Sequence, residues 1–433
     1  MNRSKISVVI LAAGKGSRMK SLKAKVLHSI CGKPMLYHII KASKEISNDI
    51  TVVIAHQKEA VKEQISVHFD DINFVTQDID NFPGTGGALK NITPKNERVL
   101  VLNGDMPLIT SSSLQDFLNN YADIIMSIFD LQNPDGYGRV IINHEQVQKI
   151  VEQKDASADE LKVTTVNAGI YVFSKEIIEK YVPLLSNDNA QQEYYLTDVI
   201  SMARADGFNI FPLLVDEEKF MGVNSKKDLS KAEEIMQDKI KTAWMNAGVI
   251  MQLPSSSYIE EGVIFEGECI VENACRITGN TLINNSHIKA GSVIEDSTII
   301  NSDIGPLAHI RPASHLEDTH IGNFVEIKKS SLKGVKAGHL SYIGDAQIGK
   351  GTNIGAGVIT CNYDGIKKYR TTIGKNVFVG SDSQLIAPVT IEDDVMIAAG
   401  TTVTSGIVQK GSLAISRIKL IFIQDFYYRF FEK

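Results

Sequence analysis

The last third of the chain repeats itself every six residues, and few folds tolerate that period. Ile373, Val379, Leu385, Ile391, Ile397 and Val403 are each six positions apart, several followed by a small or acidic residue such as Gly374, Gly380, Glu392 or Ala398. The same beat occurs upstream at Ile348-Gly349 and Ile354-Gly355, and more loosely at Ile288, Ile294, Ile299, Ile304 and Ile310. An α-helix drifts off a six-residue register, because 3.6 does not divide six. One flat side of a three-sided parallel β-helix does fit six residues. The aliphatic residue then points into the prism and the small residue helps turn the corner. Each coil buries its apolar side only against the next, so the array stabilises by stacking. The pattern spans roughly 250–415 and predicts a prism there.

At 433 residues the chain predicts two or more domains. Its net charge of −6 argues against a general nucleic-acid binder while leaving room for a local basic pocket. Cys31, Cys269, Cys275 and Cys361 form no C-x-x-C pair, so neither a zinc site nor a disulfide framework is suggested. Free buried thiols in a reducing cytoplasm are the simpler reading. The apolar run near the N-terminus ends in a glycine loop and reads as a first strand, not a signal peptide. No segment reaches the length of a membrane span.

Residues 1–225 alternate strand-like and helix-like stretches: Ile6–Ala12, Leu36–Ile46, Ile50–Ala55, and Val99–Leu102 running into Asn103-Gly104-Asp105. That alternation predicts an α/β domain of Rossmann type, with a mostly parallel sheet and helices on both faces. In 226–247, Leu229, Ala232, Ile235, Met236, Ile240, Ala243 and Trp244 share one helical face, which predicts an amphipathic linker helix. Residues 248–433 hold the prism and a C-terminal arm, aromatic and about one helix long.

The first strand ends in Ala12-Ala13-Gly14-Lys15-Gly16-Ser17-Arg18. Glycines at a strand end let backbone N–H groups approach an anion, and Lys15 and Arg18 add positive charge. The spacing is neither G-x-x-x-x-G-K-[ST] nor G-x-G-x-x-G. Taken alone, such a turn is as often structural as functional. Asp105 ends another apolar strand, where open α/β sheets place ligands. A carboxylate beside a phosphate loop suits a Mg²⁺–triphosphate site, although an isolated Asp there is as often a turn cap.

LAAGKGSRM followed by Lys25, then Asn103-Gly104-Asp105, resembles the signature of sugar-1-phosphate nucleotidyltransferases. Gln77, Gly84-Thr85-Gly86, Gly136-Tyr137-Gly138-Arg139, Glu152–Ala156, Asn167-Ala168-Gly169, Asn189–Tyr195 and Gly222-Val223-Asn224 follow in family order. With the prism, the chain from Ser7 to Arg417 resembles the bifunctional bacterial N-acetylglucosamine-1-phosphate uridyltransferase / glucosamine-1-phosphate N-acetyltransferases. The resemblance implies that Leu11, Ala12, Ala13, Gly14 and Lys25 hold the nucleotide. Gln77, Gly84 and Thr85 would read uracil, and Asn103, Gly104 and Asp105 would line the site. Asp105 and Asn224 would bind Mg²⁺, while Gly138, Glu152 and Asn167 would hold N-acetylglucosamine. The implied reaction is attack of a sugar phosphate oxygen on the α-phosphorus of UTP, with pyrophosphate leaving. Ala24 stands where the family usually has proline, Gly87 replaces a common histidine, and two extra residues lie between Gln77 and Gly84.

Within the prism, 323–345 and 360–372 read as charged insertions that interrupt the period, carrying Lys328, Lys329, His339 and Arg370. Acyl transfer from a thioester to an amine needs a base near neutral pKa, which histidine supplies. A lone histidine on a loop is more often plain surface; the resemblance of Ala337-Gly338-His339 to an acetyltransferase motif implies a catalytic His339. By the same resemblance Arg311 and Lys328 would bind the sugar phosphate, with Tyr342 and Asn353 completing the sugar pocket and Glu326 steering the histidine or the amine. Ala356, Asn362, Tyr363, Ser381, Ala399 and Arg417 would line an acetyl-CoA groove. Prisms of this family are left-handed and form homotrimers with active sites between subunits, so a cytoplasmic homotrimer is expected.

The tail departs most from the family's basic arm: Leu420, Ile421, Phe422, Ile423, Phe426, Tyr427, Phe430 and Phe431 follow Ser416-Arg417. A helix packed on the prism or on a neighbouring subunit is the simpler reading; a membrane-surface anchor is weaker for want of basic residues. Three rival functions remain: a single-activity transferase with a structural prism, a zinc enzyme using His309, His315, His320 and His339, and a trimeric scaffold. The charge around His339 opposes the first, the mismatched histidine register the second, and intact Lys25, Asp105 and Asn224 the third.

Overall fold

The computed structural model describes residues 6–143, 146–416 and 420–431. The chain divides into two compact units, 1–236 and 237–433. The division falls inside helix Lys226–Asn246, so the segment expected as a separate linker contributes its two halves to different units.

In the first unit the apolar run forms strand Ile6–Leu11, flanked in parallel by Asp49–Ile54 and Arg98–Asn103. The seven-strand path is Ile210–Leu214, Ile124–Asp130, Thr165–Ser174, Arg98–Asn103, Ile6–Leu11, Asp49–Ile54 and Asn73–Thr76. Thr165–Ser174 alone on this path runs antiparallel to its neighbours. Both faces are covered: Val8 and Ile10 enter one apolar core, and Val9 enters the other. Such burial on both sides explains the unbroken aliphatic run. Because the connections leave Ile6–Leu11 to opposite sides, its C-terminal end is a topological switch point, where ligands bind in open α/β sheets.

In the second unit three parallel sheets of ten, nine and nine short strands wrap into the expected prism. Apart from those at the two ends, the strands each bury an apolar or small side chain inward. Val271, Ile288, Ile304, Ile321, Ala337, Ile354, Val379 and Ile397 line one side, and the other two sides carry equivalent columns from Ile259 and Phe265 onward. The intervals within this column run from about sixteen to eighteen residues, except between Ile354 and Val379. That stretch bulges outward around Tyr363–Lys368. Residues 323–345, expected as an insertion, are regular coil: His320–Asn323, Glu326–Lys328, Ser331–Lys333, Lys336–His339 and Tyr342–Gly344 all pair in register. Outward positions of a prism accept charge without disturbing the inward period, which is why the charge looked like an interruption. Truncating an inward isoleucine to alanine should cost about 2–5 kcal/mol.

Helix Lys226–Asn246 buries Ala232, Met236 and Ile240 as its pattern predicts, but Ala243 is exposed. The buried face instead includes Gln237 and Lys241. Gln237 exchanges two hydrogen bonds with the Ile259 backbone (2.6 and 3.0 Å), and the Lys241 ammonium donates to the carbonyls of Pro254 and Ser257 (2.8 and 3.1 Å). These bonds satisfy carbonyls on the first coil, a role invisible to hydrophobic periodicity. Among the described residues of the arm, Phe426–Phe431 is helical and 420–431 are exposed, so this stretch does not pack on its own prism. Among the described residues no helix is long and apolar enough to cross a membrane.

Candidate functional sites

At the switch point of the first unit lies a cavity of about 590 Å³. It is lined by ten of the expected residues: Leu11, Ala12, Ala13, Gly14, Lys25, Gln77, Gly84, Thr85, Asn103 and Asp105. Gly16 makes this closure possible. It adopts φ +62°, and a Cβ there would stand 2.6 Å from the Lys25 Cβ. Lys25 donates to Asp105, as a short ion pair, and to the Asn224 Oδ1 at 2.8 Å. Arg18 donates to the same Asn224 oxygen at 2.9 Å. The two oxygens expected to bind Mg²⁺ thus already converge on one cationic group.

Gly104, Gly138, Glu152, Asn167 and Asn224 are not part of that lining. Gly104 lies behind it, its N–H bonded to the Leu11 carbonyl at 2.9 Å. Gly138, Glu152 and Asn167 form a second cluster. The Asn167 N–H donates to the Gly138 carbonyl at 2.8 Å, and a Cβ on Gly138 would stand 3.3 Å from a Glu152 carboxylate oxygen. Burial pushes the Glu152 carboxyl above its usual range, and Thr197 donates to it at 3.3 Å. Asn103 connects the clusters by donating to the Gly169 carbonyl at 3.1 Å.

The departures at Ala24 and Gly87 have physical explanations. The Ala24 N–H donates to the Gln57 Oε1 at 2.9 Å, and the Gln57 amide also donates to the Leu22 carbonyl. Proline would abolish the first bond, so a side-chain staple replaces a rigid ring in holding the Lys25 loop. At Gly87 a Cβ would stand 2.1 Å from the carbonyl oxygen of Phe82, in the stretch carrying the two extra residues. Sequence reasoning missed the lining residues Val26, His56, Ile79, Pro83 and Ala88. Only chain reversal brings them to the site.

On the prism, His339, Ala356, Ser381 and Ala399 each stand two positions after an inward residue of the same column: Ala337, Ile354, Val379 and Ile397. They therefore form one vertical line along a corner. The bonds from Asp382 N–H to the Ala356 carbonyl and from Gly400 N–H to the Ser381 carbonyl, both 2.8 Å, keep that line in register. Glycines pack it closely: a Cβ on Gly355 or Gly380 would stand 2.6 or 2.4 Å from the backbone nitrogen of Ser381 or Ala399. His339, Ser381 and Ala399 are exposed, and so are the apolar Leu307, Phe324 and Leu340 beside the upper part of the line.

On the adjoining side, Tyr342 pairs with Glu326 in register. Arg311 forms a 2.8 Å ion pair with Glu326, which raises the guanidinium pKa. The Lys328 ammonium is held below its ordinary range by the positive charges of Arg311 and Lys368. Lys368 was not singled out from the sequence. It reaches the cluster because the loop folds Lys368 back against Tyr363, whereas Arg370 turns to Gln347 at 2.9 Å. The Asn362 amide donates to Asp345 at 2.5 Å. Both this amide and the Tyr342 hydroxyl lie over Gly344, whose missing side chain makes the room. Asn353 stands on the neighbouring sheet, in register with Lys336 and Phe378. Arg417 lies outside the described residues.

The other prism histidines face carboxylates: His309 with Glu295 (3.0 Å), His320 with Asp303 (2.8 Å), His315 with Glu317 (4.0 Å). Among the described residues no group of three or more His, Cys, Asp or Glu side chains is placed to hold a metal ion.

Residues 8–164 match the model of the MobA-like NTP transferase domain, and 370–405 match the bacterial transferase hexapeptide (six repeats). The chain is 72% identical over 433 residues to the bifunctional protein GlmU of Sulfurimonas denitrificans, covering all of both chains. It is 62% identical to that of Nitratiruptor sp., covering 99% of each, and 53% identical to that of Campylobacter jejuni, covering 99% of this chain and all of the relative.

Proposed function

The chain belongs to the bifunctional GlmU family, and from that premise we propose how its two sites divide the work. It acetylates glucosamine-1-phosphate with acetyl-CoA, and it transfers UMP from UTP to N-acetylglucosamine-1-phosphate, giving UDP-N-acetylglucosamine and pyrophosphate. One observation carries the assignment of both sites: the switch-point cavity with Asp105 and the corner line headed by His339 occur in one chain.

In the first site the strand-end loop of Leu11, Ala12, Ala13 and Gly14 presents backbone groups to the triphosphate. Gln77, Gly84 and Thr85 hold the uracil. Gly138, Glu152 and Asn167 hold the sugar, the half-buried Glu152 carboxylate accepting from its hydroxyl groups. Asp105 and Asn224 fit Mg²⁺, because two oxygens already aimed at one cation, plus substrate phosphates, are what that ion uses. When bound there, Mg²⁺ supplies neutralisation of phosphate charge. With Asp105 and Asn224 holding that ion, Lys25 would be available to phosphate oxygens. The sugar phosphate oxygen attacks the α-phosphorus, the bond to the β-phosphate bridging oxygen breaks, and pyrophosphate leaves. The protein contributes position and charge.

In the second site Arg311, Lys328 and Lys368 seat the sugar phosphate, Arg311 as a fork and the lysines as point charges. Tyr342 and Asn353 flank the sugar. The amine attacks the thioester carbonyl carbon, His339 takes its proton, the C–S bond breaks, and CoA leaves as the thiol. Ser381 stabilises the developing oxyanion, and Ala356, Asn362, Tyr363 and Ala399 border the acetyl-CoA. A site this open excludes no water by itself, and an exposed apolar ladder at Leu307, Phe324 and Leu340 adjoins it. These features support a homotrimer whose neighbouring copy closes the site. The substrates are those of cytoplasmic cell-envelope synthesis, and we assign the enzyme to the cytoplasm.

The test is release of free CoA thiol from acetyl-CoA with and without glucosamine-1-phosphate, alongside pyrophosphate release from UTP with N-acetylglucosamine-1-phosphate. Substrate-dependent release in both assays is expected. Pyrophosphate without thiol would reduce the prism to a scaffold.

A further inference from the structure

We propose that Phe82 and Gly87 form a clasp that fixes the orientation of the Gln77 amide, and that this clasp makes the 78–83 stretch a determinant of nucleotide choice. The inference rests on the uridyltransferase reading of this site. The Gln77 side chain is buried on the wall of the cavity. Its Nε2 donates to the carbonyl of Phe82 and to that of Gly84, both at 2.9 Å. Two carbonyl oxygens facing one atom identify that atom as the amine, since a carbonyl oxygen accepts and cannot donate. Both amide hydrogens are therefore committed, and Oε1 is left as the acceptor for a ligand.

That commitment has a chemical consequence. Uracil carries N3–H, a donor, whereas the same ring position of cytosine is an acceptor. An amide locked with Oε1 forward pairs with uracil and meets cytosine lone pair to lone pair. An amide free to flip would present Nε2 and accommodate cytosine. Selectivity thus requires an immobile amide, and half of its anchorage is the Phe82 carbonyl.

Phe82 is itself held from three directions. Its N–H donates to the Asp78 carbonyl at 2.8 Å, and Asn81 donates twice to the Asp78 carboxylate. Its ring lies 4.3 Å from the Lys90 ammonium, which also sits 4.5 Å from the Tyr194 ring, a cation between two aromatic faces. Tyr194 is in turn bonded to the loop, its N–H to the Pro83 carbonyl (2.8 Å) and its carbonyl to the Gly86 N–H (2.7 Å). The third restraint is absence of a side chain at position 87. A Cβ there would lie 2.1 Å from the Phe82 oxygen and 2.7 Å from its carbonyl carbon. Gly87 has no left-handed backbone to justify it. Close approach of the Phe82 carbonyl is what excludes a side chain. The extra residues before Gly84 and the glycine at 87 are then one adaptation: the longer stretch brings Phe82 across the helix start, and Gly87 admits it.

The experiment measures kcat and KM for UTP and CTP by pyrophosphate release, in the full chain, for wild type, Gly87→Ala, Phe82→Ala and Phe82→Tyr. Acetyl transfer by the same preparations reports the folding of the chain, and circular dichroism reports that of the first unit. Gly87→Ala and Phe82→Ala should raise KM for UTP more than they lower kcat. They should also shrink the UTP-over-CTP ratio of kcat/KM by about tenfold, the scale of losing one hydrogen bond that anchors the amide. Phe82→Tyr keeps ring and carbonyl and should keep the wild-type ratio. If folded Gly87→Ala and Phe82→Ala both retain the wild-type ratio and KM, the clasp is overturned. If instead the wild type shows no preference for UTP, the uridyltransferase reading falls first and the clasp with it.

Discussion

The two sites are built on opposite plans. In the α/β unit the charged groups are satisfied before substrate arrives: Lys25 holds Asp105 and Asn224, Arg18 holds Asn224, and Gln77 spends both amide hydrogens. On the prism, His339 and Ser381 stand exposed on a corner, and Arg311, Lys328 and Lys368 crowd like charges together. A pocket folded back on itself pays in competing internal bonds and gains preorganisation. A repetitive corner is cheap to build, because each coil repeats the last, but it encloses nothing alone. The difference predicts that one site works within a chain and the other needs a neighbour.

The largest expected effect separates the two plans by residue. His339→Ala should lower acetyl transfer by about 10²–10⁴-fold and leave uridylyl transfer untouched. Asp105→Asn should do the reverse, by about 10²-fold or more. Steady-state assays of both reactions on both variants check this. An unchanged acetyl transfer rate in His339→Ala would remove that residue from catalysis. Loss of both activities in either variant would show that the sites are not separable.

The prism was legible because the sides of its inner coils bury aliphatic residues, so the period survives in Ile373, Val379, Leu385 and Ile391 whatever the outward residues do. For the same reason the charged stretch 323–345 was misread: outward charge breaks no inward period. His339 could be named from its motif, but not its alignment with Ala356, Ser381 and Ala399, which depends on coil lengths. Lys368 and Arg370 look alike in sequence; only the fold of the loop sends one to Arg311 and Lys328 and the other to Gln347. In the first unit the strands followed from apolar runs, and Lys25 and Asp105 from motifs. The compensations, Gln57 for a missing proline and Phe82 against Gly87, join residues 33 and five positions apart. No periodicity records such pairs.

A middle-sized effect tests the need for a neighbour. If a second copy closes the His339 site, acetyl transfer per chain should fall with dilution below the assembly constant, by about tenfold or more once monomers predominate, since stability of an assembly follows mass action. Uridylyl transfer per chain should stay constant. Leu340→Glu, placing charge on the exposed ladder, should shift the fall to higher concentration. Activity measured across a dilution series, with mass photometry at each point, checks it. Acetyl transfer that persists in monomers would erase the contrast between the sites.

The smallest effect asks what preorganisation costs the first unit. Burial raises the Glu152 carboxyl above its ordinary range. A group whose folded pKa is raised contributes stability that is full below the unfolded value and is lost as pH climbs through the folded one. Wild type should therefore lose stability relative to Glu152→Gln as pH rises from about 4.5 toward neutrality. Below that range, where both side chains are neutral, the two should converge. Near neutral pH the variant should be the more stable by of order 1 kcal/mol, the scale of most single substitutions, while its KM for N-acetylglucosamine-1-phosphate rises. Denaturant melts at a series of pH values, paired with kinetics at neutral pH, measure both arms. A variant more stable yet poorer at holding sugar identifies the half-buried carboxylate as strain kept for binding. A pH-independent difference would mean that Glu152 is held by packing and that its charge plays no part in the trade.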